Sequence, residues 1–511
     1  MSPPEISRPV KPETVFDRDA EWDALVAFTC DARPGAGLGV VSGRLRQGKT
    51  HLLKELTAAL GGFCFGAQQA ARAESLRRLG DELARYTGEA PPPHRTGWED
   101  VVDALLALGE RGRPVPVVID EFPDLVRQSP ELPSVIHGAY RRLRETGRDN
   151  RTRLLLSGSS LPVMHRLFGA AAPLHGLADL ELTLRPLDFR QSARFWHIDD
   201  PRLALLVHAV VGGTPAYRHY VAGDAPSRAD DFDAWVCRTV LNPRTPLFLE
   251  SHHLLQEETD HWDRALCHSA LTAIATGCRT QGEIAECLGT PLTDASHCLT
   301  LLQTNGLLYG TPDAFRPHLV RLRIAEPLLA FEHAAVWPHR SALEQQDSVE
   351  VWRRARPVFD SAVAGPHFAQ ICRDWVMDHA GQAVFGARPA TVAHGSLSDP
   401  EQRAGPDLEA EVVVRGRADA RSKPLLSVGL ARWDRVMDLR HLEHIRRLLT
   451  LLAARGEDVT HTRPACYSGV GFTPSLRAAE ADGQVVLVDL DRLYQGDQHD
   501  SDSVAARRTE R

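Results

Sequence analysis

The feature that most constrains how this chain folds is the segment 43–50, which reads Gly-Arg-Leu-Arg-Gln-Gly-Lys-Thr. An apolar, strand-like run at 38–43 leads into it, and a helical pattern follows at 50–60. The spacing G-x-x-x-x-G-K-[ST] between a strand and a helix is typical of a loop that wraps phosphate groups. Its glycines let backbone N–H groups converge on the phosphates, and the helix N-terminus adds positive potential. The segment therefore predicts a phosphate-binding loop at the edge of an α/β sheet.

Individual residues of this loop have separate predicted roles. Lys49 is expected to reach the β- and γ-phosphates of ATP, and Thr50 to supply its hydroxyl to Mg²⁺. The sequence thus predicts ATP and Mg²⁺ as ligands. The full set of predicted nucleotide contacts is Gly43, Gln47, Gly48, Lys49, Thr50 and His51.

A second apolar run, Val-Val-Ile at 117–119, ends in the acidic pair Asp120 and Glu121. Asp120 is predicted to hold Mg²⁺ through water. Glu121 is predicted to polarise the attacking water as a general base. A third run, Leu-Leu-Leu at 154–156, is followed by Ser-Gly-Ser-Ser. Continuous apolar runs separated by helical segments predict buried parallel strands.

Composition restricts the remaining function classes. Hydrophobic residues make up 43% and charged residues 25% of the 511 residues, as in core-forming proteins. The 59 basic and 67 acidic side chains give a net charge of -8, so no overall basic charge indicates nucleic acid. The nine cysteines are scattered without a Cys-x-x-Cys pair, which favours reduced thiols and cytoplasmic localisation. Neither a signal peptide nor a membrane span is expected.

A different pattern occupies the middle of the chain. An apolar-periodic segment at 265–275 is followed by a second segment at 280–289 and a third at 293–305, and Asn-Gly then precedes a strand-like stretch. This order is typical of a winged helix-turn-helix. The segment 293–305 would be the recognition helix, but His297 and Gln303 are its few DNA-capable groups and it contains no Lys or Arg. DNA contact through this element is therefore left open.

Several segments together resemble one family. They are Phe-Asp-Arg-Asp-Ala-Glu at 16–21, the loop at 43–50, the Asp-Glu strand at 117–121, Leu-Ser-Gly-Ser-Ser at 156–160, Gly-Gly-Thr-Pro at 212–215 and Leu-Arg-Ile-Ala-Glu-Pro-Leu-Leu-Ala-Phe at 322–331. Over most of residues 14–475 the chain resembles the archaeal-type AAA+ ATPases, which are related to the signal-transduction (STAND) ATPases. The resemblance implies a domain that hydrolyses ATP and consists of an α/β sheet with a helical lid. Many members carry a C-terminal domain related to PD-(D/E)XK nucleases.

The resemblance also implies a polar side chain after the third apolar run that touches the water or the γ-phosphate. Ser159 or Ser160 would take that position, although serines there are also ordinary helix caps. The chain departs from the family at 174–177, where Leu-His-Gly-Leu replaces a Leu-Tyr-Gly-Arg-like stretch. Arg166, Arg185 or a neighbouring subunit would have to replace that arginine.

The C-terminal segments match the nuclease pattern only in part. Phe368 is followed by Ala369 where the family has a glutamate, and 429–433 reads Gly-Leu-Ala-Arg-Trp instead of Gly-Glu-x-Lys-Trp. Leu430 removes a second carboxylate, and Arg432 does not readily give up a proton. Only Glu411 is kept as a metal ligand. We therefore expect a nuclease-like fold without nuclease chemistry.

These observations predict an α/β protein in which a P-loop AAA+ parallel sheet with a helical lid precedes a winged-helix domain and an α/β nuclease-like domain. The expected boundaries are an N-terminal tail 1–12, the ATPase core 13–190, lid and linker 191–260, winged helix 261–335, nuclease-like domain 345–495 and a disordered tail 496–511. The catalytic residues are predicted to be Glu121, Lys49 and Ser159, and the metal ligands Thr50 and Asp120.

The leading hypothesis is a regulatory ATPase in which ATP switches the downstream domains. Two alternatives stay open: an ATP-gated DNA-processing nuclease, and a nucleotide-binding module without efficient turnover. DNA, an unidentified protein and a second copy of the chain are the partners considered, and no membrane association is expected.

Overall fold

The computed structural model describes residues 8–89, 97–110, 112–147, 149–170, 172–258, 264–345, 347–399, 407–417 and 423–496. The chain divides into two compact units, Met1–Pro186 and Leu187–Arg511. Of the predicted tails, 1–12 is described only from residue 8 and 496–511 only at residue 496. The rest of both tails lies outside the described residues.

The first unit contains a parallel five-stranded sheet in the order β2-β3-β4-β1-β5. This confirms the predicted parallel α/β sheet and is consistent with a P-loop fold of the AAA+ type. The strands are β1 (Gly37–Ser42), β2 (Phe63–Gly66), β3 (Val115–Asp120), β4 (Thr152–Gly158) and β5 (Ala178–Thr183). The helices are α1 (Asp19–Thr29), α2 (Lys49–Leu60), α3 (Arg72–Thr87), α4 (Trp98–Ala107), α5 (Phe122–Gln128), α6 (Leu132–Thr146) and α7 (Leu161–Phe168).

The continuous apolar runs arise because both faces of this sheet are covered. Successive strand residues point to opposite faces. Accordingly, Val117 and Ile119 belong to one apolar cluster, whereas Val118 between them belongs to another. Leu154 and Leu155 are divided between the same two clusters. Every residue of β1, β3 and β4 is buried, as expected for central parallel strands.

The second unit is mainly helical in its first half. Its helices are α8 (Phe189–Trp196), α9 (Pro201–Val211), α10 (Pro215–Tyr220), α11 (Phe232–Arg238), α12 (Pro246–Glu258), α13 (Arg264–Ala275), α14 (Gln281–Leu288), α15 (Leu292–Thr304), α16 (Pro327–Phe331), α17 (Arg340–Glu344), α18 (Ser348–Val358), α19 (Gly365–Asp378), α20 (Gln382–Phe385), α21 (Leu439–Ala454), α22 (Pro474–Ala481) and α23 (Leu490–Gln495). Short 3-10 or π-helical turns lie at Ala229–Asp231, Glu332–Val336, Trp337–His339 and Phe359–Ala364.

Its strands form a two-stranded and a five-stranded sheet. They are β6 (Leu308–Pro312), β7 (Val320–Ile324), β8 (Pro389–Leu397), β9 (Leu408–Gly416), β10 (Leu425–Arg432), β11 (Arg463–Ser468) and β12 (Val486–Val488). The larger sheet has the order β12-β11-β10-β9-β8. Its β8-β9 and β9-β10 pairs are antiparallel, and its other two pairs are parallel. The sheet is therefore mixed.

Helices α13, α14 and α15 precede the antiparallel hairpin β6-β7, in the order that the sequence predicts for a winged helix. Helix α14 starts at a capping box in which the Thr280 hydroxyl accepts from the backbone N–H of Glu283. The predicted recognition helix, α15, begins one residue earlier than expected. The identification of this segment as a winged helix stays a prediction.

Asp313, directly after β6, connects the hairpin to the larger sheet. Its side chain is 0% exposed. It accepts hydrogen bonds from the Ser396 hydroxyl at 2.8 Å and from Nε of Arg321 at 3.3 Å. Burial alone raises the pKa of Asp313, but hydrogen bonds from His394, Ser396 and backbone N–H groups outweigh burial and hold that pKa well below its usual value. The carboxylate therefore stays charged and holds two sheets together.

Replacing Asp313 by alanine should lower the free energy of unfolding of the second unit by about 3 kcal/mol, because it leaves buried donors without their acceptor. Urea denaturation followed by tryptophan fluorescence measures the change. Asp230→Ala is the matched control, since its carboxylate is 73% exposed and forms one surface ion pair. Equal stability of both variants would contradict the role assigned to Asp313.

No helix within the described ranges combines the length and apolar character needed to cross a bilayer.

Candidate functional site

The strand order determines where polar side chains meet in the first unit. Strand β4 lies between β1 and β3, and all three are parallel. Their carboxyl ends therefore lie side by side at one edge of the sheet, the edge at which α/β proteins bind ligands. The loop at 43–48 follows β1, Asp120 ends β3, and Ser159 follows β4. The structure thus brings together three segments that the sequence selects separately.

The loop after β1 has a backbone that only glycine adopts easily. Gly43 has φ of 151° and Gly48 has φ of 89°. A Cβ atom on Gly43 would lie 2.6 Å from the carbonyl oxygen of Leu184. Gly43 is required because its φ is positive and because a Cβ atom would clash with a neighbouring backbone. Gly48 is required because of its positive φ alone.

Lys49 is the first residue of α2 and is only 4% exposed. Its ammonium group donates to the carbonyl oxygens of Gly43 at 2.7 Å and Arg44 at 2.9 Å. The side chain therefore folds back over the loop that it follows. A positive charge held at this position, next to a helix N-terminus, favours a phosphate group.

Thr50 and Asp120 form the second contact across the site. The Thr50 hydroxyl donates to Oδ2 of Asp120 at 2.5 Å. Asp120 is 4% exposed, and its other oxygen, Oδ1, is buried without a hydrogen-bond partner among the described residues. A buried carboxylate oxygen with no donor, beside a hydroxyl, fits a hard cation such as Mg²⁺. The residues present therefore suit the metal that the sequence predicts.

Glu121 is held by the segment after β4. The Ser159 hydroxyl donates to Oε1 of Glu121, and the Ser159 backbone N–H donates to Oε2 at 3.2 Å. Glu121 itself adopts a left-handed conformation with φ of 51°, which is uncommon for a residue with a side chain. Burial raises the pKa of Glu121, and the Ser159 hydroxyl partly opposes that rise. A carboxylate with a raised pKa beside a phosphate loop is suited to accept a proton.

The structure separates the two serines that the sequence leaves open. Ser159 is 7% exposed and contacts Glu121. Ser160 instead occupies the position before α7, and its side chain makes no capping hydrogen bond there. The geometry places Ser159, and not Ser160, against the acidic pair. Its role in a reaction stays a prediction.

The remaining candidate residues differ in their exposure and contacts. Gln47 is 2% exposed. His51 is exposed and its Nε2 lies 3.0 Å from the backbone oxygen of Thr14. The side chains of Arg166 and Arg185, considered as replacements for the family arginine, are both exposed. The carbonyl oxygen of Arg185 accepts a hydrogen bond from the Arg18 guanidinium at 2.7 Å.

Sequence reasoning did not identify the contribution of β5 to this site. The Thr183 hydroxyl lies 2.9 Å from that of Ser42, and Leu184 limits the space at Gly43. The sequence pattern that predicts this strand is the alternation of Leu180, Leu182 and Leu184 with polar residues, which is typical of a strand with one buried face.

The candidate nuclease residues of the second unit lie in a different environment. Ala369 on α19 and Leu430 on β10 are buried. Glu411 accepts a hydrogen bond from Arg432 at 2.7 Å and one from the backbone N–H of Ala431 at 3.1 Å. Across the described ranges, no group of three or more His, Cys, Asp or Glu side chains is arranged to hold a metal ion. The carboxylate of Glu411 is thus engaged by a cation of the chain itself.

Comparisons with known proteins give distant similarities. No family model matches the chain. It is 25% identical over 314 residues to an uncharacterized protein, MJECL04, of Methanocaldococcus jannaschii, a match that covers 60% of this chain. The chain spans 65% of the length of that curated relative.

Among solved structures, the chain is similar to the Walker-type ATPase paby2304 of Pyrococcus abyssi, with a TM-score of 0.47 and 18% identity over 64% of this chain and 98% of that one. It is also similar to the ORC2 protein of Aeropyrum pernix, with a TM-score of 0.42 and 16% identity over 69% and 96%. A STAND protein of Pyrococcus horikoshii gives a TM-score of 0.24 and 11% identity over 73% and 51%. These similarities are too distant to assign an activity or a partner.

Gly43→Ala should destabilise the first unit by about 1–3 kcal/mol and weaken nucleotide binding, since the new Cβ clashes with a backbone carbonyl. Gly61→Ala is the control: Gly61 also has positive φ, but a Cβ atom there would meet no other atom within 4 Å. Thermal melting and titration with a fluorescent ATP analogue measure both effects. Equal nucleotide affinity in the two variants would show that the close approach at Gly43 is not needed.

Proposed function

We propose that the first unit binds ATP with Mg²⁺ and hydrolyses it, and that hydrolysis regulates the second unit. One observation carries the proposal: Lys49, the Thr50–Asp120 pair and the Glu121–Ser159 pair all lie at the carboxyl edge of three adjacent parallel strands. A phosphate loop alone would support nucleotide binding. The buried glutamate with a raised pKa supports turnover.

The residues present suit successive parts of phosphoryl transfer to water. Lys49 would exchange its bonds to the loop carbonyls for bonds to the β- and γ-phosphates. Bound Mg²⁺, held by Thr50 and Asp120, would supply positive charge to the phosphate oxygens. Glu121 would accept a proton from the water whose oxygen forms the new bond to the γ-phosphorus. The bond from that phosphorus to the β-phosphate oxygen breaks, and ADP leaves with its electron pair.

The Ser159 contact adds a condition to this mechanism. Both carboxylate oxygens of Glu121 accept hydrogen bonds from Ser159. Ser159 thereby occupies one acceptor position on each oxygen and restricts how the attacking water approaches Glu121. Release of Ser159 would therefore separate a resting site from a reactive one, which is a use suited to a regulatory ATPase.

One of the two alternative functions keeps specific support, and the other does not. Leu177 stands where the resemblance expects an arginine, and this favours a nucleotide-binding module without efficient turnover, because such an arginine contributes orders of magnitude in rate. The ATP-gated nuclease is disfavoured, since Glu411 is paired with Arg432 and two expected carboxylates are replaced by Ala369 and Leu430. Metal-dependent DNA cleavage that disappears in Glu411→Ala would restore it.

Steady-state phosphate release tests the proposal. Glu121→Gln should lower the rate about 100-fold or more while ATP still binds, because the proton acceptor is lost and the loop is not. Lys49→Ala should lose both binding and release. Glu131→Gln, a carboxylate 46% exposed on the same unit, is the control and should match the unmodified protein.

Each outcome of that experiment selects a hypothesis. Lys49-dependent ATP binding without release in any protein would support the binding module and reject turnover by the isolated chain. Release that persists in Glu121→Gln would assign the general base elsewhere. Measurements with and without duplex DNA address the partner, since stimulation would favour nucleic acid.

Ser159→Ala should shift the acidic limb of the pH-rate profile to higher pH. Burial raises the pKa of Glu121 above 4.5, and the Ser159 hydroxyl lowers it. Loss of the hydroxyl therefore raises this pKa further. At a given acidic pH a larger fraction of Glu121 is then protonated, and protonated Glu121 cannot act as a base. Initial rates between pH 5 and pH 9 measure the limb. An unshifted or downshifted limb would contradict the contact; Ser160→Ala is the matched control.

A further inference from the structure

A cavity lies entirely within the second unit, and the proposed ATPase mechanism does not use it. It has a volume of about 550 Å³, which is within the usual range for small-molecule sites. The hairpin strand β7, helix α19 and strands β9 and β10 contribute to its lining. We name it the arginine cavity, after the side chains Arg279, Arg321, Arg323, Arg373, Arg432 and Arg435 that line it.

The acidic residues of the arginine cavity do not neutralise all of these guanidinium groups. Its four acidic residues are Asp360, Glu409, Glu411 and Asp434. Three of them pair with cavity arginines: Glu411 with Arg432 at 2.7 Å, Asp434 with Arg435 at 3.2 Å, and Glu409 with Arg321 at 3.6 Å. The fourth, Asp360, pairs at 3.0 Å with Arg356, which is not part of the lining.

Three arginines are left without a carboxylate. Within the described ranges, Arg279, Arg323 and Arg373 form no ion pair with an acidic side chain. Arg373 donates to the amide oxygen of Gln370 and to the carbonyl oxygen of Glu411. The guanidinium of Arg323 lies 4.8 Å from the centre of the Tyr309 ring. Asp374 acts electrostatically on Arg323 and Arg373, and Glu409 acts on Arg279, but neither carboxylate forms a direct ion pair with these groups.

Burial and mutual repulsion make this arrangement costly. Burial, and after it the charge of the neighbouring Arg323, lower the pKa of Arg373 to about 10. Burial also lowers the pKa of Arg279, with Arg321 as the second cause. Like charges held together in a partly buried site are destabilising unless an anion joins them.

From these contacts we infer that the arginine cavity is a binding site for a compact phosphorylated small molecule, separate from the phosphate loop. Guanidinium groups bind phosphate oxygens in a bidentate manner, and three of them here form no direct ion pair with a carboxylate. The four acidic side chains would repel a long polyanion, but they accept hydrogen bonds from the hydroxyl or amino groups of a small ligand. The size and charge pattern therefore favour a small phosphate ester over a nucleic acid strand.

The test uses inorganic pyrophosphate as the probe and the full chain carrying Lys49→Ala, so that the phosphate loop is impaired. Calorimetric titration should detect saturable binding. Adding Arg279→Gln should weaken the pyrophosphate Kd about tenfold or more, because a charge-assisted hydrogen-bond pair is lost. Arg440→Gln, at a side chain 89% exposed outside the cavity, should leave the Kd unchanged.

A gain of affinity excludes misfolding as the explanation. Glu409, whose side chain is 48% exposed, lies 3.6 Å from Arg321. Glu409→Gln should tighten pyrophosphate binding about threefold, because it removes a negative charge beside Arg321, which keeps its hydrogen bond to Asp313. A variant that does not fold cannot bind more tightly.

Three results would overturn the inference: no binding of pyrophosphate to the Lys49→Ala chain, a Kd that Arg279→Gln does not change, or a Kd that Glu409→Gln weakens. A single-stranded oligonucleotide without terminal phosphates serves as the second probe. If it binds with the same dependence on Arg279 while pyrophosphate does not, the ligand is a nucleic acid strand and the proposal is wrong. Failure of ATP hydrolysis in the first unit affects none of these readouts.

Discussion

The candidate active site depends on one constraint, the position of β4 between β1 and β3 in a parallel sheet. Because the strands run in the same direction, the phosphate loop, the acidic pair and Ser159 emerge at a common edge without any long connection between them. The hydrogen bond from Thr50 to Asp120 joins segments 70 residues apart. It is possible only because β1 and β3 are separated by a single strand. Burial of Glu121, and hence its raised pKa, follows from the same crowding.

The phosphate loop could be predicted from the residue types at fixed positions, because glycines at 43 and 48 adopt backbone angles that other residues avoid. The acidic pair after the second apolar run was also predictable from the sequence. The hydrogen-bond partner of Glu121 could not be predicted in this way. Whether Ser159 or Ser160 faces it depends on the turn after β4, and both serines are compatible with the same local pattern. Strand β8 lacks a continuous apolar run because only part of it is buried.

The arginine cavity illustrates a stronger limit of sequence reasoning. Its arginines come from segments as far apart as 279 and 435, and each one alone is typical of a solvated surface. Only tertiary packing places Arg323 beside Arg373 and leaves both without a direct ion pair. A deficit of counter-charge is a property of the assembled site. No spacing rule could have revealed it.

The residues at which the chain departs from the nuclease pattern contribute to the charge of this cavity. A hydrolytic metal site needs clustered carboxylates and therefore a negative potential. Here Ala369 and Leu430 contribute no charge, and Arg432 neutralises Glu411. The six arginines of the lining outnumber its four acidic side chains, and this excess favours an anion over a divalent cation. The lining is thus better suited to hold a phosphate group in place than to hold a metal ion that cuts a phosphodiester. Such a lining would let the second unit detect a ligand without altering it.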